Sequence, residues 1–182
     1  GFRAMELDVG RCGFVNEEVV FFHAQCLLGS RDIADTLTNI NTFLDENPNE
    51  VIILKLEMTD ESVTLQEVAG IMDTVATGSF RDRLYQKEDA AAAWPTLGEL
   101  VSLDQRIILF YYNQPDCASQ NCPTGFHFWF TFGVNTQFSF DSVEDIEATD
   151  NSCVLTGAGA NSQRDFFRVN AFVSVPSRQV AD

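Results

Sequence analysis

The chain has 182 residues, 45% of them hydrophobic and 16 of them phenylalanine, ample for one buried core. Its 27 acidic residues against 11 basic ones leave a formal charge of −16, which excludes the basic footprint of a nucleic-acid binder and long-range attraction to anionic membranes. No apolar run approaches the roughly 20 residues that span a bilayer, and no signal peptide is visible.

From Phe2 to Val9 the side chains alternate, so Ala4, Glu6 and Asp8 share one strand face and Met5, Leu7 and Val9 the other. Two carboxylates on one face of an apolar strand push one pKa up unless a cation sits between them. Val19 to Phe22 form a second apolar run that stops on His23. Two acids and an imidazole are therefore expected at neighbouring strand tips, where parallel sheets carry out chemistry. The plainer alternative is a solvated loop margin with a satisfied histidine.

Ser30 or Asp32 can cap a helix whose apolar stripe is Ile33, Leu37, Ile40 and Leu44, ending at Asn47-Pro48. Val51 to Leu56 read as a buried parallel strand closing on Glu57. Thr64 and Glu67 make a capping box ahead of Leu65, Val68, Ile71 and Val75. A short helix is expected from Ser79 to Gln86 and a loop from Glu88 to Ala93. Thr96 and Glu99 form a second capping box for a brief helix through Leu103, and Arg106 to Tyr112 form the next strand. Phenylalanines at 126, 128, 130 and 132 suggest a strand with one aromatic face, and His127 within it reads as structural. An acidic connection runs from Asp141 to Asp150, and Phe166 to Val175 is the last apolar run.

Cysteines stand at 12, 26, 117, 122 and 153, without a CxxC pair or a histidine cluster, which argues against a structural zinc. They read better as disulfides of an oxidising compartment, hence secretion, with one left over. Cys12 and Cys26 flank a single strand and are expected to pair. Strands alternating with helices point to one α/β domain over residues 1–182 with a mainly parallel sheet. An open doubly wound sheet is the rival, although no Gly-rich turn follows the first strand.

The segments GFRAMELDVG, VVFFH, FLDENPNE and VIILKLE, in this order and spacing, resemble the X domain of phosphatidylinositol-specific phospholipase C and its secreted relatives. The resemblance is good over Gly1 to Met58, thinner over WPTLGELV and QRIILFYY, and faint after Asn113. It implies a (β/α)8 TIM-type barrel, incomplete here, with the first strand and the last lying outside this chain. The family's first catalytic histidine and its neighbouring asparagine would precede Gly1, so a fragment of a longer protein is expected.

On this resemblance Glu6, Asp8 and Glu57 are the calcium ligands, and His23 and Glu6 the catalytic residues. Lys55 and Tyr112 are the substrate-binding residues, and many relatives carry a basic group where Tyr112 and Asn113 stand. The implied activity is phosphoric diester hydrolysis of a (glycero)phospholipid such as phosphatidylinositol, by metal-assisted general acid and base catalysis. Calcium suits three converging carboxylates independently of the name. Lys55, sharing the Glu57 face, could bind phosphate or pair with an acid and take the metal's place. The implied partner is a phospholipid or other phosphodiester, with no nucleic acid, no transmembrane segment and a monomeric state. Two rival readings stand beside it. One is a glycerophosphodiester phosphodiesterase, where an aspartate normally follows the histidine and this chain has Ala24. The other is a catalytically silent secreted binding module.

Overall fold

The computed structural model describes residues 3–13, 18–23, 26–75, 80–113, 122–137, 139–148, 155–156, 164–169 and 172–173. The chain divides into two compact units, Gly1–Phe128 and Trp129–Asp182.

In the first unit, strand β1 (Ala4–Cys12) lies at the middle of a six-stranded sheet. Its neighbours are β2 (Glu18–Phe22), β3 (Ser30–Asp32), β4 (Ile52–Met58), β5 (Ile107–Tyr112) and β6 (Phe126–Phe128). The order is β3-β2-β1-β4-β5-β6. Strands β1, β4, β5 and β6 run parallel, whereas β2 is antiparallel to β1 and β3 antiparallel to β2.

The expected (β/α)8 barrel does not form: among the described residues the sheet is open, with β3 and β6 as its edges. The short connection between β1 and β2 is one physical reason. Five residues link Cys12 to Glu18, while a parallel crossover needs a dozen or more. β2 must therefore return antiparallel, and β3, three exposed residues long, ends the sheet on that side.

One sheet face is apolar. Leu54, Leu56, Leu109 and Tyr111 are fully buried there with Val9 and Phe126, against helices α1 (Ile33–Glu46) and α2 (Leu65–Asp73). α1 follows its stripe, with Ile33, Leu37, Ile40 and Leu44 all buried. The Asp32 side chain caps it by accepting from the Asp35 N–H at 2.7 Å. In α2, Thr64 accepts from the Glu67 N–H at 3.1 Å, but the Glu67 carboxylate is held by Arg11 at 2.8 Å. The full reciprocal box forms only in α3 (Leu97–Ser102), between Thr96 and Glu99. The helix expected near residue 80 is a single 3-10 turn over Phe80–Arg83.

Gly10 is required by close approach: a Cβ there would come within 2.7 Å of the Phe22 ring and 2.9 Å of Thr59 Oγ1. The Cys12–Cys26 disulfide is present, with Cα atoms 5.8 Å apart, and ties the end of β1 to the turn after β2. Cys117 and Cys153 lie outside the described residues.

The second unit begins with α4 (Trp129–Phe132), so the strand expected over residues 126–132 stops at Phe128. Trp129 Nε1 donates to Asn135 Oδ1 at 2.9 Å, and the indole covers Gly133 so closely that a Cβ would overlap it. The unit contains β7 (Gly133–Thr136), β8 (Ser139–Phe140), β9 (Leu155–Thr156), β10 (Phe166–Arg168) and β11 (Phe172–Val173). These form two small sheets, β10-β7-β9 and β11-β8. Ser142 caps α5 (Val143–Glu147) within the acidic connection. No described helix is long and apolar enough to cross a membrane.

His127 on β6 is a structural group. Its Nδ1 donates to the Leu109 carbonyl at 3.0 Å and its Nε2 accepts from the Lys87 N–H at 3.1 Å, which fixes one neutral tautomer. Burial, with a smaller push from the Lys87 ammonium, outweighs the Leu109 hydrogen bond and holds its pKa below the ordinary histidine value. Unfolding therefore takes up a proton near and below the unfolded pKa of about 6.5. The stabilisation from neutral His127 is whole above that pH and is lost as pH falls through it towards the folded value. Urea midpoints of the wild type should drop between pH 7.5 and pH 5. His127→Gln should be less stable at pH 7.5 yet show a shallower drop, and an equal slope would be evidence against this role.

Candidate functional site

The sheet face opposite α1 and α2 carries two polar rows, set by strand register. In one row Asp8 pairs with Glu57 and Glu57 with Tyr112; in the next, Glu6 pairs with Lys55, Lys55 with Phe110 and Phe110 with His127. Because β1, β4 and β5 are parallel and unshifted, the alternation seen in each strand separately becomes one continuous surface.

His23 joins this face through β2. Antiparallel pairing sets Phe21 opposite Val9, so the chain leaving β2 passes Asp8, well inside β1 rather than at its tip. His23 Nδ1 lies 3.0 Å from Asp8 Oδ2, with the ring almost fully exposed and the carboxylate largely buried. An aspartate accepting the Nδ1 proton orients the imidazole and leaves Nε2 for proton transfer.

The other acids are engaged. Lys55, with a side chain only 7% exposed, places Nζ 3.6 Å from Glu6 Oε1 and 4.0 Å from the centre of the Tyr112 ring. The Tyr112 hydroxyl shares its one proton between Glu6 Oε1, at 2.7 Å, and Glu57 Oε2. Burial first, and then the hydrogen bonds to Glu57 and Glu6, push this phenol far above its ordinary value, so it stays a donor. Asn113 Nδ2 donates to Glu57 Oε1 at 2.9 Å. Asn113 reaches that position through a left-handed backbone, φ 63°, which asparagine tolerates better than most residues.

Among the described residues no group of three or more His, Cys, Asp or Glu side chains is arranged to hold a metal ion. Glu6, Asp8 and Glu57 do share a face. As arranged, however, Glu6 faces an ammonium, Glu57 takes two side-chain donors and Asp8 holds His23. This donor set, paired as it is, does not fit calcium, which needs several free oxygens around one point.

Beside Asp8 and His23 opens a cleft of about 490 Å3, whose lining includes Glu6, Asp8, Phe22, His23, Ser30 and Arg31. Lys55 and Tyr112 are absent from that lining and belong to the network behind Glu6. Sequence reasoning brought out Glu6, Asp8, His23, Lys55, Glu57 and Tyr112, and the structure gathers all six on or beside one sheet face. It passed over Arg31 and gave Asn113 no role.

The protein is thus an open, mainly parallel α/β sheet with an aspartate–histidine pair at the mouth of a cleft. The PI-PLC X family model matches residues 9–161, and the chain belongs to that family. The match starts one residue after Asp8 and takes in His23, Arg31, Lys55, Glu57 and Tyr112. A curated relative, "PI-PLC X domain-containing protein 1" of Arthroderma benhamiae, is 28% identical over 106 residues. That alignment covers 56% of this chain and 34% of the relative, so the chain spans about a third of the relative's length. No solved structure matches.

Replacing Lys55 by Gln removes the ammonium facing Glu6 while keeping a polar side chain of similar length. Terbium luminescence, reporting trivalent-ion binding, should then rise, with affinity at least about tenfold above that of the wild type. Equal terbium binding by both proteins would show that Lys55 does not govern cation access to these acids.

Proposed function

We propose that the protein is a phosphoric diester hydrolase of phospholipase C type, acting on a glycerophospholipid such as phosphatidylinositol, with His23 as the general acid. The observation that carries this reading is the 3.0 Å Asp8–His23 pair at the mouth of the cleft. Membership of the PI-PLC X family supports the choice of substrate class. Leu28, 77% exposed at the cleft rim, offers an apolar edge to the glyceride side of such a lipid.

In the proposed step a hydroxyl oxygen bonds to phosphorus and releases its proton to solvent water, while the phosphorus–oxygen bond to glycerol breaks. His23 Nε2 gives its proton to the departing oxygen while Asp8 holds Nδ1. Asp8 acts by positioning the ring. Glu6 supports the same face through the Tyr112 hydroxyl and the Lys55 ammonium. Secretion is part of the proposal, supported by the Cys12–Cys26 disulfide. A second reading, a silent binding module, is favoured by one observation: the carboxylates of Glu6 and Glu57 are already engaged by Lys55 and Tyr112.

In the full-length protein, His23→Ala should lower turnover of phosphatidylinositol about 10²–10⁴-fold, the usual range for one general acid. With a nitrophenyl leaving group, which departs as a stable anion, the loss should be far smaller. Equal losses on both would give His23 another task. A wild type that binds phosphatidylinositol without turning it over would favour the silent module.

A further inference from the structure

We propose that Arg31 is the phosphate-binding residue of the cleft, a specificity-determining contact that rests on the phosphodiesterase reading above. Within the first unit the other arginines are each paired with a carboxylate. Arg3 binds Glu50, Arg11 binds Glu67 and Arg81 binds Asp73. Arg83 binds Asp45 and Arg106 binds Asp104. Among the described residues of the first unit, Arg31 alone among the arginines pairs with no carboxylate. In a chain with 27 acids and 11 bases, a first-unit arginine without a described carboxylate partner is out of pattern. That same arginine lines the cleft that also holds Asp8 and His23.

The position is a defined one. Arg31 is the central residue of β3 and pairs with Phe21 on β2, two residues before His23, so one short hairpin carries both groups. Its planar fork can meet two phosphate oxygens at once, which a lysine cannot do. The charge balance also calls for it. Glu6 and Asp8 make the adjoining wall of the cleft negative, and a phosphodiester anion entering there needs a fixed cation to offset that field. The alternative role for Arg31 is protection of an exposed edge strand, where any charged residue discourages pairing with another chain.

Two variants of the full-length protein separate these roles. On soluble short-chain phosphatidylinositol, Arg31→Gln should raise KM about tenfold or more, with kcat falling by less than that factor. Arg31→Lys, which keeps the charge and loses the fork, should recover only part of the affinity. Inorganic phosphate should inhibit the wild type competitively and the Gln variant more weakly. An unchanged KM in Arg31→Gln would overturn the proposal, as would full recovery in Arg31→Lys. Weaker phosphate inhibition with an unchanged lipid KM would make Arg31 a surface anion site and overturn it too. Should the wild type turn over no lipid, the phosphodiesterase reading fails separately. Direct calorimetry with inositol 1-phosphate then decides on Arg31: about tenfold weaker binding by Arg31→Gln supports it, and equal or absent binding overturns it.

Discussion

Three carboxylates on one sheet face constrain everything built around them. Glu6 and Asp8 are two residues apart on β1, and Glu57 is register-paired with Asp8 on β4. Like charges this near raise each other's cost of ionisation, and in a half-buried setting they need compensating groups. Lys55, register-paired with Glu6, supplies a cation from within the sheet. Tyr112 supplies a hydroxyl shared by Glu6 and Glu57. The arrangement is mutual: the acids keep Tyr112 protonated, and the Tyr112 ring lies under the Lys55 ammonium. Removing one member would leave the others with buried charge or donors lacking their partners, the costly outcome in such networks.

Elements whose signals were redundant could be read from sequence. α1 has its stripe, its Asp32 cap and its Asn47-Pro48 stop, and the helix ends where those signals place it. β4 and β5 are mainly apolar runs too short for helices, and both lie inside the sheet. The barrel failed because composition says nothing about strand direction: VVFF fits a parallel or an antiparallel neighbour equally well. The usable signal was the five-residue gap before β2, too short for a crossover. β3 escaped notice because Ser30, Arg31 and Asp32 carry no apolar period, their pairing being supplied by β2 alone. The aromatic run at 126–132 alternates like a strand, but its second half is helical, with Trp129 bonded to Asn135.

The site divides along the same line. Glu6, Asp8, Lys55 and Glu57 are visible in sequence because alternation within a strand assigns faces, and parallel pairing preserves them across the sheet. The Asp8–His23 contact has a different origin from two adjacent strand tips: an antiparallel return brings the end of β2 beside the interior of β1. Tyr112, expected as a substrate-binding residue, is the hydrogen-bonding hub behind Glu6 and does not line the cleft. Arg31 was invisible for a numerical reason. Its distinction is the lack of a carboxylate partner among the described residues, which emerges only once the other arginines of the first unit have been matched with theirs.

Electrostatics then explains why acid and base are separated across the sheet. Glu6, Asp8 and Glu57 against Lys55 leave the polar face negative, a poor landing place for an anionic phosphodiester. The groups able to reverse that locally, His23 when protonated and Arg31, both come from the β2–β3 hairpin that borders the cleft. β1 and β4 thus hold the acids at the centre of the sheet, and the antiparallel edge places His23 and Arg31 at the cleft. The open edge that keeps this unit from closing into a barrel is the same element that carries Arg31, the proposed phosphate contact.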